Sequence, residues 1–217
     1  MATTIVVFGS ALVWLLLVSE PRDWFVPVIV AAICLHALII FTLIAVVLRR
    51  EGLGLSDIGF HRPTLRLLHL TWQIPVILIL LISVQGIMFV LTGIDPASYT
   101  DSPAGTSSTS PVTDMTPLTI AAAVVTVGVL VPLWEEMLFR GVIFGFLLGR
   151  GGVFTAVVAS ALIFALTHVA PMLFAYLFTL GIALGLLRVF HRNLWGPLLL
   201  HAGINTLVTA VSAAALA

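Results

Sequence analysis

Long uninterrupted apolar runs separated by short polar connections set the pattern of this chain. They cover roughly Thr4–Ser19, Trp24–Leu48, Leu67–Leu91, Leu118–Phe139, Val153–Val169, Met172–Phe190 and Leu194–Ala215. A bilayer crossing takes about 20 apolar residues in a helix. By that measure the first run is short and the fifth marginal. The pattern predicts an all-α fold, a polytopic transmembrane helical bundle of about seven spans. The N-terminus has no basic region ahead of Ile5–Val18 and no small-residue cleavage site, so the first run reads as a retained span. One stretch resists a simple count. Gly141–Gly149 is apolar and carries glycines at 141, 145 and 149, spacing that lets helices approach closely. Either the fourth helix runs on through it, long and tilted, or the chain kinks and dips back. Gly151-Gly152 is expected to end that helix.

Composition agrees with the pattern: 61% of the residues are hydrophobic and 8% charged, values of a membrane protein rather than a soluble domain. All nine basic residues are arginine and nine acids balance them, so nothing points to nucleic acid. The lone Cys34 excludes a disulfide framework or a cysteine-rich metal site. Arg49, Arg50, Arg62 and Arg66 share one connection, Arg140 and Arg150 lie in the next same-side region, and Arg188 and Arg192 in the one after. The positive-inside rule then predicts a multi-pass protein of the cytoplasmic membrane, N-terminus in and C-terminus out, with only Arg22 as an exception. The Ser/Thr/Pro-rich stretch 93–116 holds Asp95, Asp101 and Asp114 without a base, and is expected outside as a flexible loop. It separates a three-span region, 1–92, from a four-span core, 117–217.

Candidate chemistry concentrates in that core. Trp134-Glu135-Glu136-Met137-Leu138-Phe139-Arg140 puts two carboxylates into an apolar helix, where ionisable groups are costly and mark sites. Arg140 lies one turn beyond Glu136 and can face it. Glu135 points about 100° away round the helix and needs another partner. Phe164 and His168 share one helix face, as do His201 and Asn205. Imidazole can be a base, a donor or a metal ligand, and an amide can donate to an oxyanion. Converging, these groups could hold and deprotonate a water. Each alone has a plainer reading: an ion pair for Glu136–Arg140, helix-packing hydrogen bonds for single histidines. His36, His69 and His191 are read as structural in that way. The joint pattern is harder to explain by packing, because every buried polar group would need separate satisfaction. No His-Glu-x-x-His, Gly-x-Ser-Gly, Gly-x-Gly-Asp or Gly-x-Ser-x-Gly occurs.

Taken in order, Glu135-Glu136-x-x-x-Arg140, Phe164-x-x-x-His168 and His201-x-x-x-Asn205 resemble the CAAX protease and bacteriocin-processing family of intramembrane endopeptidases, which includes the type II CAAX prenyl endopeptidases and the Abi proteins. The resemblance covers about Leu118 to Ala215, and by this comparison the first three spans are variable decoration. It implies that Glu135 activates the attacking water with help from His168. Glu136 and His201 would complete the polar site, Asn205 would stabilise the oxyanion, and Arg140 would hold Glu136. It leaves open a glutamate mechanism and a metal-dependent one, with a divalent ion such as zinc held by Glu136, His168 and His201. The implied partners are the bilayer and a membrane protein or peptide substrate, lipidated or not. Rival classes are a proton- or cation-coupled transporter, a non-catalytic immunity or scaffold homologue, and, more weakly, haem ligation by His168 and His201. On upright helices His168 would sit deeper than Glu135, so the protease reading predicts strong tilt or a helix break near Gly141.

Overall fold

Among the described residues the apolar runs fold as helices. A computed structural model describes residues 25–95 and 116–215, and every regular element among them is helical. Helix α1 covers Phe25–Arg50, and α2 covers Leu70–Thr92 after a 3-10 turn at Leu65–His69. The next run comprises α3 (Pro117–Val125), a π-helical turn at Thr126–Leu130, α4 (Val131–Glu136), a second π-helical turn at Met137–Ile143, and α5 (Phe144–Thr167). A 3-10 turn at Pro171–Leu173 leads into α6 (Phe174–His191), and α7 is Trp195–Ala215. α3 starts where local chemistry asks: Thr116 Oγ1 accepts from the Thr119 amide, and Pro117 occupies the first turn.

Among the described residues four helices are long and apolar enough to cross a membrane, which does not confirm the expected seven: Pro27–Arg50, Leu65–Thr92, Pro117–Thr167 and Pro171–His191. The expected first span, Thr4–Ser19, lies outside the described residues, as do positions 96–115 of the Ser/Thr/Pro-rich stretch. The expected fourth and fifth spans are two legs of one helical run. The helix does pass through Gly141, as a π-helical turn, and bends sharply at Gly152, whose φ of 73° suits glycine. Beyond the bend the second leg folds back on the first, so that the Phe164 and Phe139 rings meet at 5.2 Å. The last expected span is helix α7, which is not one of the four.

The chain divides into two compact units. The described part of one comprises residues 25–43, 116–132 and 203–215. There the end of α7 crosses the first π-helical turn closely, since a Cβ on Gly128 would come within 2.5 Å of Thr206 Oγ1. Asn205 Nδ2 donates to the Val127 carbonyl at 3.3 Å in the same unit.

The other unit, residues 44–94 and 133–202, has its core where α5 meets α6. Gly181 and Gly185, one helical turn apart, lie against Ala161 and Val157, likewise one turn apart. A Cβ at Gly181 would fall 2.8 Å from that of Ala161. Small residues let two backbones approach where no water-driven force separates lipid from core. Of the three glycines spaced for such contact, only Gly141 is used, against Ile58; Gly145 and Gly149 face open space. In α2, Trp72, Ile79, Ile82 and Val90 are exposed, an apolar surface suited to lipid.

Candidate active site

The charged helix segment is built around one buried ion pair. Arg140 Nη1 donates to Glu136 Oε1 at 3.2 Å, with both side chains fully buried. Arg140 Nη2 donates to the Gly181 carbonyl at 3.2 Å, and the guanidinium lies 4.5 Å from the Phe164 ring centre. Hydrogen bonds and a cation–π contact thus help to offset the cost of removing the charge from water. The close α5–α6 crossing brings the Gly181 carbonyl within reach.

His168 caps a helix end. Pro171 follows shortly, α5 stops at Thr167, and His168 Nδ1 lies 2.7 Å from the Phe164 carbonyl oxygen. A carbonyl only accepts, so Nδ1 carries the hydrogen and neutral His168 presents a bare Nε2. That nitrogen lies 3.9 Å from Glu135 Oε1. His201, on α7, is arranged likewise. Its Nδ1 lies 2.8 Å from Glu136 Oε1, the oxygen that also accepts from Arg140 Nη1. The bare Nε2 of neutral His201 then faces Glu135 Oε2 at 3.5 Å. Two imidazoles, each oriented through its Nδ1–H, therefore turn their other nitrogens toward one carboxylate. Glu135 and His201 are buried, whereas 29% of the His168 side chain is exposed, so the cluster opens on the His168 side.

Glu135, Glu136, Arg140, His168 and His201 are thus gathered in one unit. Asn205 follows His201 by one turn but belongs to the other unit, where one of its amide N–H groups is used on Val127. Phe164, a motif position to which the sequence assigned no role of its own, joins them. Its ring lies 4.6 Å from that of His168, 5.7 Å from that of His201 and 5.2 Å from that of Phe139. The only sequence signal for that role was its place one turn before His168.

A divalent metal is testable against this geometry. Glu136 meets the Nδ1 edge of His201, so Glu136 and the Nε2 edge cannot serve one ion. The set Glu136, His168 and His201 is therefore not assembled as ligands. Glu135, His168 and His201 are nearer to one, yet among the described residues no group of three or more His, Cys, Asp or Glu side chains could hold a metal ion.

No curated protein and no solved structure matches this chain. A family model does, over residues 117–207, a stretch that takes in all six polar residues just described. Over that segment the chain is similar to the type II CAAX prenyl endopeptidase Rce1-like family.

Proposed function

We propose that this protein is an intramembrane endopeptidase that hydrolyses a peptide bond of a membrane-associated protein or peptide, with Glu135 as general base. The family suggests CAAX protease activity, and the apolar helices suggest a multi-pass membrane protein. The observation that carries the mechanism is the facing of three acceptors: the Glu135 carboxylate, His168 Nε2 and His201 Nε2, separated by 3.9 and 3.5 Å. Such gaps suit a water that donates one hydrogen to Glu135 and the other to an imidazole. Its oxygen is then free to attack.

In this reading Glu135 takes a proton from the water as its oxygen bonds to the scissile carbonyl carbon. By the family resemblance, Asn205 stabilises the oxyanion. Collapse breaks the C–N bond. The proton held by Glu135 passes through Nε2 of His168, the most exposed member, to the leaving amine. Glu136, fixed by Arg140, keeps His201 in the tautomer that presents Nε2 inward. No step passes through a metal. Arg66 Nη1 donates to the Phe190 carbonyl at 2.9 Å, which brings two of the arginine-bearing connections to one end. This supports a cytoplasmic placement for that end and an N-in, C-out topology.

The test is cleavage by purified protein in liposomes. One substrate is a quenched fluorescent, farnesylated peptide ending in a Cys-aliphatic-aliphatic-X motif; the other is a library of unmodified membrane peptides. Cleavage by wild type that Glu135→Gln abolishes supports the proposal, and the arm that is cut identifies the substrate class. Proton flux that depends on Glu135, without cleavage in either arm, overturns it.

A further inference from the structure

We infer that Arg188, near the end of α6, is a positioning residue for the catalytic cluster, acting through the π-helical turn that bears Arg140. The Phe144 amide bonds the Phe139 and Gly141 carbonyls and passes over that of Arg140, its ordinary α-helical acceptor. Arg188 Nε donates to this passed-over oxygen at 3.3 Å. The same residue that pairs with Glu136 through its side chain is thus held through its main chain by a second arginine.

The connection after α1 fixes that second arginine. Gly59 has a φ of 110°, and a Cβ there would lie 2.5 Å from Nη2 and 2.8 Å from Cζ of Arg188. Only a glycine backbone can lie so close against the guanidinium. Among the described residues no carboxylate lies within ion-pair distance of Arg188. Its directed contact is with the Arg140 main chain. Around this point the connection grips both site-bearing elements. Buried Ile58 packs on Gly141, the Gly59 carbonyl accepts from the Leu194 amide at 2.9 Å, and Trp195 Nε1 donates to the His61 carbonyl at 3.0 Å. Leu194 and Trp195 open the helix that carries His201. Residues 58–61, outside the family match, thereby hold the second π-helical turn and the start of α7 in register. Loss of that register by even about 1 Å is enough to cost a factor of 100 in rate.

The consequence for turnover rests on the proposed protease reading; the consequence for the turn itself does not. The experiment therefore reads both. Hydrogen–deuterium exchange of the full-length protein in nanodiscs follows segment 137–144 against segment 153–165. Cleavage of the farnesylated quenched peptide follows kcat and KM. Arg188→Met is expected to speed exchange in 137–144 by about tenfold, with 153–165 unchanged. It should lower kcat about 10- to 100-fold with KM within about twofold. Arg188→Lys, which keeps a cationic donor, is expected to recover most of both losses. Gly59→Ala, which displaces the guanidinium and keeps its charge, should reproduce Arg188→Met, and it carries the test if Arg188→Met does not fold. Unchanged exchange at 137–144 in these variants overturns the inference whether or not the wild type cuts the peptide. Equal damage from Lys and Met at position 188 also overturns it. Absence of cleavage by wild type, with the exchange pattern as expected, counts against the protease reading alone.

Discussion

Two pairs of histidines occupy the larger of the two units, and His191 is as deeply buried as His201, each at 2% exposure. In one pair, His191 Nε2 bonds Gln73 Oε1 at 2.9 Å, and His69 Nδ1 accepts from Trp72 Nε1 at 3.1 Å. Their contacts there are with an amide and with aromatic rings. In the other pair, both Nδ1–H groups are spent on fixed acceptors and both Nε2 atoms face a shared carboxylate. Burial and hydrogen bonding are thus common to both. What separates them is an acceptor facing other acceptors, an arrangement that packing has no reason to build.

Glu135→Gln should break this contrast most severely. It replaces the base by a weakly basic amide of the same shape, so cleavage should fall by about 10²–10⁴-fold with the melting temperature little changed, read from initial rates alongside a thermal scan. Arg140→Met strikes the support instead. A buried Glu136 left without its partner costs about 3–5 kcal/mol, and a chemical denaturation series in detergent should report that loss. Asn205→Ala probes the oxyanion donor, with an expected fall of about 100-fold in kcat and little change in KM. The matched control is His191→Phe. It leaves the Gln73 side chain without its hydrogen bond and should cost about 1–3 kcal/mol of stability. Cleavage should stay near the wild-type rate, and a large loss of turnover in this variant would erase the distinction between the two pairs.

Much of the site was legible because local spacing carried it. Glu136 and Arg140 are one turn apart and do pair, and Phe164 and His168 share a face as that spacing requires. Glu135 was seen to point elsewhere, but its two facing histidines lie on other elements, and no spacing within one helix reveals a partner across the bundle. Of the two options at Gly141, a continuing helix or a break, the helix continues, as a π-helical turn. That turn is met by Arg188 and by Ile58, which packs against Gly141, both distant in sequence. The Gly151-Gly152 pair did announce the bend, because a positive φ is a property of the residue itself. Hydropathy alone does not fix the number of spans where two apolar runs join into one bent helix. A bend inside one apolar run and a run broken by a bend look alike until backbone angles are known.

The open space around Gly145 and Gly149, set against the crowded Gly181, has a practical consequence for anyone engineering this scaffold. Alanine in place of an exposed helical glycine typically gains up to about 1 kcal/mol by restricting the unfolded chain. Positions 145 and 149 can take that methyl group without meeting a neighbour. At 181 the same methyl would wedge two helices apart and draw away the carbonyl that receives Arg140. A uniform glycine-to-alanine programme would therefore harden the protein at two places and disarm it at a third.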